Sequence, residues 1–130
     1  AAVGSVSGTM LDGNPDPDNP VPTINLHGTS DSIVPYNGGT AYTAIPTVLS
    51  YWANKNGANA TPVITNLTSG STSIEKSVYS DSSGTDWVEH YKINGGQHVW
   101  FDLDLSGSGT NDLIWSFFSK HGLNGPPSNP

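Results

Sequence analysis

The chain has 130 residues, room for one domain, since a domain takes roughly 100–200 residues. Eleven acidic residues face four lysines and no arginine, which gives a formal net charge of −7. This balance excludes nucleic acid, whose binding needs a basic stripe, and disfavours anionic membrane surfaces for the same reason. No apolar run approaches the about 20 residues of a spanning helix. The absence of cysteine excludes disulfides, thiolate nucleophiles and cysteine-ligated zinc.

Two strands are predicted near the start of the chain. Residues 1–9 are small and apolar, which predicts a short buried strand. Residues 12–22 form a loop rich in Pro, Asp and Asn, because their prolines block any helix. Residues 23–27 favour β-structure and are followed by Gly28, so we expect a second strand there.

A helix is predicted over residues 41–54, with Thr40 as its N-cap and Pro46 interrupting its beginning. Its apolar residues recur at helical spacing and form one face: Ile45, Val48, Leu49 and Trp52. The pair Asn56-Gly57 suits the left-handed backbone geometry that often ends a helix.

The second half of the chain predicts three more strands and a final helix. Short strands are expected over residues 62–67 and 74–79, and residues 87–93 alternate like a half-buried strand. A helix over residues 111–121 carries apolar side chains on one face: Leu113, Ile114, Phe117 and Phe118. Residues 122–130 are predicted to form a flexible tail.

Strands that alternate with helices predict an α/β fold with a parallel sheet. We expect about three core strands with flanking helices and an edge hairpin, in one domain over residues 1–121. A parallel sheet must be covered on both faces, and two predicted helices are few for that purpose. The chain is therefore interpreted as half of a larger domain.

Two polar loops each follow directly after a predicted strand. Residues 27–36 read His-Gly-Thr-Ser-Asp-Ser-Ile-Val-Pro-Tyr, and residues 95–100 read Gly-Gly-Gln-His-Val-Trp. Ligands of open α/β sheets bind outside the carboxyl ends of the strands, so both loops are candidates for function. Asp31 and His98 have the residue types of the orienting acid and the general base of a hydrolase triad. Taken singly, they also fit a turn-forming aspartate and a surface histidine.

These loops, and much of the rest of the chain, resemble a known enzyme family. Residues 27–39 are similar to the acid-loop motif of the polyhydroxybutyrate depolymerase/feruloyl esterase family of α/β-hydrolases. Residues 94–100 resemble that family's Gly-Gly-Gly-His-x-Trp motif around the triad histidine. Residues 51–57, 114–118 and 1–10 resemble, in turn, the helix after the acid loop, the last helix and the strand that follows the nucleophile helix.

The resemblance implies a serine carboxylesterase that acts on an ester substrate without a cofactor, with Asp31 as triad acid and His98 as base. In α/β-hydrolases the nucleophilic serine precedes both on a Gly-x-Ser-x-Gly elbow. The nearest pentapeptide, residues 4–8, has Val6 at its centre, so the elbow is missing. The resemblance thus implies the C-terminal half of an α/β-hydrolase sheet. A complementary N-terminal half, as a second chain or as upstream sequence, is expected to carry the serine.

Several other residues have both a functional and a structural interpretation. Trp100 is a candidate wall of a substrate pocket, with core packing as the alternative. His27 is interpreted as a structural hydrogen-bonding residue rather than a second base. The serines of the chain's first strand and of the acid loop are interpreted as ordinary: Ser5, Ser7 and Ser30.

A metal site is not expected. Four oxygen-bearing residues alternate like the start of a calcium loop: Asp12, Asn14, Asp16 and Asp18. Pro17 holds the position that needs glycine, and no glutamate follows at the required place, so a solvated turn is favoured. The four histidines lack the spacing of a zinc protease helix.

An alternative function is a catalytically inactive hydrolase fragment that acts as a binding or interaction module. A polysaccharide-binding surface of tryptophans is disfavoured, because Trp52 and Trp115 fall on or beside apolar helical faces, where core packing is the default. The composition has more Asn, Ser, Thr and Gly than Lys and Glu, so a secreted or periplasmic location is expected.

Overall fold

The computed structural model describes residues 1–10 and 16–122. Its strands are β1 (Val3–Val6), β2 (Thr23–Gly28), β3 (Val63–Ser69), β4 (Thr72–Ser80), β5 (Asp86–Ile93), β6 (Asp104–Leu105) and β7 (Ser108–Gly109). Its helices are α1 (Ile45–Lys55) and α2 (Thr110–Ser119). Most of the predicted tail, residues 123–130, lies outside the described residues. Within the described ranges, no helix combines the length and apolar character needed to cross a membrane.

Five strands form one mixed sheet in the order β1-β2-β5-β4-β3. β1, β2 and β5 run parallel, whereas β4 is antiparallel to both β5 and β3. The predicted α/β class with flanking helices and an edge hairpin is confirmed, but the sheet is mixed rather than parallel because the β3–β4 hairpin joins it. The carboxyl ends of β2 and β5 meet at the same end of the sheet, where Gly28 pairs with Ile93.

Each face of the sheet has its own hydrophobic core, because side chains alternate across the strands. On one face, Ile24 and Leu26 of β2 pack with Phe117 of α2. On the opposite face, Val88 of β5 packs with Leu49 of α1. The two helices therefore cover opposite faces, as a sheet that contains parallel strands requires.

The burial of the two strands at residues 1–9 and 87–93 differs from the sequence prediction. β5 was expected to be half-buried, but it is the central strand and is buried over most of its length on both faces. Its polar residues are accommodated by partners: His90 hydrogen-bonds Tyr36, and Glu89 lies near lysine side chains. β1 was expected to be buried, but it is an outer strand, and Val3 is 47% exposed.

Helix α1 begins four residues later than predicted. Thr40 is not the N-cap, because Ala41 has a φ of +68°, which is incompatible with a helix, and Ala44 takes the cap position. Pro46 lies in the first turn, where its missing N–H leaves no hydrogen bond unmade. The predicted end is confirmed: Asn56 is the C-cap and Gly57 has a φ of +69°.

Candidate active site

The loop after β2 holds the carboxylate of Asp31 by backbone hydrogen bonds. Asp31 Oδ1 accepts the N–H of Ile33 at 2.9 Å and the N–H of Val34 at 2.7 Å. An aspartate that binds the N–H groups two and three residues later closes a tight turn and loses its own freedom to rotate. Asp31 is therefore fixed below the surface, with Oδ2 facing the loop after β5.

The loop after β5 is joined to the Asp31 loop by backbone contacts. Gly95 takes a φ of +78°, which turns the chain back over the end of the sheet. The N–H of Gly95 donates to Thr29 Oγ1 at 2.8 Å, and the N–H of Ser30 donates to the Gly96 carbonyl at 2.8 Å. These bonds fix the distance between the two loops.

Two glycines allow this close approach. A Cβ atom placed on Gly28 would lie 2.1 Å from the carbonyl oxygen of Gly96. A Cβ on Gly96 would in turn lie 2.9 Å from side-chain atoms of Ile93 and Phe101. Any side chain at Gly28 would therefore push the two loops apart.

The contact predicted between Asp31 and His98 is confirmed. His98 Nδ1 lies 2.9 Å from Asp31 Oδ2, although the two residues are 67 positions apart in the chain. A carboxylate only accepts, so Nδ1 carries a proton and Nε2 of the neutral ring carries the lone pair. The Asp31 side chain is fully buried and the His98 side chain is 40% exposed. A partly exposed imidazole that is oriented by a buried carboxylate can act as a general base through its other nitrogen, Nε2. The catalytic role itself stays a prediction.

The Asp31 carboxyl is held in its ionised form. Burial by itself raises its pKa, but hydrogen bonds from the Val34 N–H, from His98 and from the Ile33 N–H outweigh burial, and the pKa is lowered from its ordinary value. Asp31 is therefore an anion at neutral pH. This is the state that orients an imidazole and stabilises its protonated form.

A second polar network lies under the Asp31 loop, and sequence reasoning missed it. The Tyr36 hydroxyl is 2.9 Å from His90 Nε2, and His90 Nδ1 is 3.1 Å from the Asn25 carbonyl. Nδ1 therefore donates to the carbonyl, and Tyr36 donates to Nε2. Burial lowers the pKa of His90 to about 4 and raises the pKa of Tyr36 to about 12, so both groups are neutral at pH 7. The alternating pattern of β5 indicates that His90 faces inward. The pattern does not identify the partners of His90, because Tyr36 and Asn25 belong to distant parts of the chain.

Ser7, which the sequence indicates is an ordinary strand or loop serine rather than the nucleophile, makes a structural contact. It is buried just beyond the carboxyl end of β1, with a φ of +62° that is uncommon for a residue other than glycine. Its hydroxyl donates to the Val99 carbonyl at 2.7 Å, which ties β1 to the His98 loop. Over residues 1–10 and 16–122, no serine hydroxyl hydrogen-bonds the His98 ring.

Trp100 is 60% exposed, so the alternative that it packs in the core is wrong. It lines a cleft of about 290 Å³ between the His98 loop and the β3–β4 turn, together with Ser69, Thr72 and Phe101. Its role in binding substrate stays a prediction. Trp115 is 72% exposed on α2, so the expectation that it packs in the core is also wrong.

In the candidate calcium loop, Asp12 and Asn14 lie outside the described residues. Asp16 forms an ion pair with Lys55. In the part of the chain that the structure describes, no group of three or more His, Cys, Asp or Glu side chains is placed to hold a metal ion.

The site contains an oriented imidazole at the junction of two loops, and the serine that would complete a triad is not among its hydrogen-bond partners. No protein-family model matches the chain, and no curated protein matches it either. Its function is therefore inferred from the site geometry together with the motif resemblance.

Proposed function

We propose that this chain provides the acid and the base of a serine carboxylesterase of the α/β-hydrolase type, similar to the polyhydroxybutyrate depolymerase/feruloyl esterase family. The observation that carries the proposal is the 2.9 Å contact between His98 Nδ1 and the buried carboxylate of Asp31, at the carboxyl ends of adjacent parallel strands. That location is where α/β folds bind their ligands.

The reaction uses His98 Nε2 as the proton carrier. A serine hydroxyl gives its proton to Nε2 while its oxygen attacks the ester carbonyl, and Asp31 stabilises the imidazolium that forms. The proton then passes from Nε2 to the leaving alcohol. Water hydrolyses the acyl-enzyme in the same way: Nε2 takes a proton from water and returns it to the serine. The net reaction converts an ester and water into an acid and an alcohol, without a cofactor.

The serine belongs, on this proposal, to a complementary N-terminal half that continues the sheet beyond β1. β1 is an outer strand, and exposed outer strands tend to pair with further strands. Apolar side chains are exposed on and near this strand: Val3 of β1 is half-exposed, and the exposed Trp115 lies on α2 one turn before Phe118, whose ring would be 3.2 Å from a Cβ placed on Gly4. These features suit a strand and its packing layer, from a second chain or from upstream sequence.

The geometry also suits a serine at the end of that added strand. Adjacent strands are about 4.8 Å apart, so a strand parallel to β1 would end beside Ser7. Ser7 is in turn bonded to Val99, the residue after His98. A side chain at the end of the added strand would therefore lie near the backbone of the His98 loop.

The proposal can be tested on the assembled protein, meaning this chain together with the N-terminal half that carries the serine. We expect it to hydrolyse a short-chain nitrophenyl ester and to be labelled by a serine-directed phosphonate. His98→Ala should lower kcat by about 10³-fold or more, as in other triads. Asn54→Ala is the control: Asn54 is exposed on α1, away from both loops, and should leave kcat unchanged. Activity that survives His98→Ala excludes His98 as the base.

The 130-residue chain tested alone locates the nucleophile. We expect no turnover beyond that of a solvent-exposed imidazole and no phosphonate labelling, because His98 has no serine to activate. Stoichiometric labelling of a serine of this chain, with matching turnover, would show that the nucleophile lies here. An assembled protein that is neither labelled nor active would favour the inactive binding module.

A further inference from the structure

Asp31 lies between two imidazole rings, and the proposed reaction uses only one of them. Asp31 Oδ2 is 2.9 Å from His98 Nδ1 and 3.4 Å from His27 Nε2. The side chains of Asp31 and His27 are both fully buried. His27 Nε2 also lies 2.7 Å from the Val34 carbonyl oxygen. The buried ring thus contacts the Asp31 loop at two points.

These contacts determine where His27 carries its proton. Both groups that face Nε2, a carbonyl and a carboxylate, accept hydrogen bonds, so Nε2 bears the proton and donates to Val34. His27 Nδ1 is buried without a hydrogen-bond partner among the described residues. An apolar side chain of similar shape would avoid that unpaired atom. Packing alone therefore does not explain a histidine here. The ring atom that makes specific contacts is Nε2.

We infer that His27 is a positioning residue for Asp31. The Val34 peptide is held on both sides: its N–H donates to Asp31 Oδ1 at 2.7 Å, and its carbonyl accepts from His27 Nε2 at 2.7 Å. His27 thereby fixes the turn that holds Oδ1. The positive end of its Nε2–H bond also faces Oδ2, at a distance too long for a good hydrogen bond but favourable for the anion. Asp31 is left in the orientation in which Oδ2 meets His98.

The first test needs no substitution and no enzymatic activity. A long-range ¹H–¹⁵N spectrum of the 130-residue chain reports which nitrogen of each histidine carries the proton. We expect the Nε2–H tautomer for His27 and the Nδ1–H tautomer for His98. A His27 ring protonated only at Nδ1 would overturn the inference, because Val34 and Asp31 would then face a lone pair.

The second test compares substitutions. His27→Leu removes the donor, whereas His27→Gln keeps an amide N–H near the position of Nε2. We expect His27→Leu to abolish the hydrogen-bonded Nδ1 proton resonance of His98, and His27→Gln to retain it. A His27→Leu chain that keeps this resonance, or a His27→Gln chain that loses it while folded, would contradict a positioning role. If His27→Leu does not fold, the positioning role is tested by the His27 tautomer and by the His98 resonance of the His27→Gln variant.

His121 offers a matched control. It is also a buried histidine whose Nε2 lies at 2.9 Å from a carbonyl, that of Asp86, and whose Nδ1 is unpaired in the described residues. Its hydrogen bond and ring contacts go to Asp86, Trp87 and Phe117, which lie outside both loops of the site. His121→Leu should therefore leave the His98 ring proton in place, although it removes a buried histidine of the same kind. Loss of the resonance in this variant as well would reduce the His27 effect to general destabilisation and overturn the inference.

The consequence for catalysis rests on the proposed function. In the assembled esterase, we expect His27→Leu to lower kcat at least tenfold with little change in KM, and His27→Gln to restore most of it. An assembled protein without esterase activity would refute the proposed function but would leave the spectroscopic result on His27 standing. An active enzyme in which His27→Leu has the parent kcat would refute the positioning role alone.

Discussion

Replacing Gly28 by alanine should separate the two loops that carry Asp31 and His98. The added Cβ would lie 2.1 Å from the carbonyl oxygen of Gly96 and 2.3 Å from its carbonyl carbon. Both are backbone atoms, so no side-chain rotation relieves the contact. Carbon and oxygen atoms in close contact stay about 3.3 Å apart, so the loops must move by about 1.2 Å.

This displacement is large compared with the tolerance of a hydrogen bond. The 2.8 Å bond from the Ser30 N–H to the Gly96 carbonyl lies at the point of the clash. Opened by about 1.2 Å, this bond and the 2.9 Å contact between Asp31 and His98 are lost. Overpacking costs about 1–3 kcal/mol and each of the two lost hydrogen bonds about 1 kcal/mol. We therefore expect Gly28→Ala to lower the free energy of unfolding by about 3–5 kcal/mol.

Urea unfolding at pH 7, followed by tryptophan fluorescence, measures this loss. For a slope of about 2 kcal/mol per molar urea, the unfolding midpoint should fall by about 1.5–2.5 M. The His98 Nδ1 proton resonance should disappear in the same variant. Gly39→Ala is the control: its Cβ would meet only Pro35, at 3.6 Å, and its backbone is not left-handed, so we expect a change within about 0.5 kcal/mol. A Gly28→Ala chain with the parent midpoint and an intact His98 resonance would refute the reasoning.

Three further predictions concern stability. Asn56→Ala should cost about 1–3 kcal/mol in urea unfolding, because its buried amide bonds both the N–H and the carbonyl of Val21, at 2.8 and 2.9 Å; no loss would argue against these bonds. The folded chain has a His90 pKa of about 4, so between pH 6.5 and 4 the unfolded chain binds a proton at His90 and the folded chain does not. The free energy of unfolding therefore falls as the pH is lowered over this range. His90→Gln should flatten this fall by up to about 3 kcal/mol, and an unchanged pH profile would contradict the lowered pKa. Because the pKa of Asp31 is lowered in the folded chain, the stability that its anion adds is complete above the unfolded value of about 3.9 and is lost as pH falls through the folded value. The stability gap between the parent and Asp31→Asn should therefore narrow below pH about 4, and a gap constant down to pH 2 would exclude this linkage.

Local patterns predicted much of the fold because they report on one element at a time. The β-favouring residues 23–27 and the helical spacing of residues 111–121 correspond to β2 and α2 within about two residues. Asp31 and His98 were predicted to meet because each follows a strand, and the carboxyl ends of parallel strands share one end of a sheet. The catalytic roles proposed for them depend on the motif resemblance as well, which no local pattern supplies.

Predictions failed where a distant segment decided the local structure. α1 begins at Ile45 rather than residue 41 because Tyr42 exchanges backbone hydrogen bonds with Gly39, at 3.1 Å, and Thr43 donates to the Met10 carbonyl. Trp115 was expected in the core, but other apolar side chains of α2 pack against the sheet. Trp115 lies outside this packed face and is exposed.

The sequence by itself determined the residue types at the ends of β2 and β5, the turn that Asp31 closes, and the absence of a side chain at Gly28. Only the tertiary structure decided that Gly28 touches Gly96, that Ser7 ties β1 to Val99, and that His27 lies beside the Asp31 carboxylate. The first two contacts join residues far apart in the chain, 92 positions for Ser7 and Val99. They exist because the parallel register of β1, β2 and β5 brings three strand ends together. That register depends on how both faces of the sheet are packed at once, which no single stretch of sequence records.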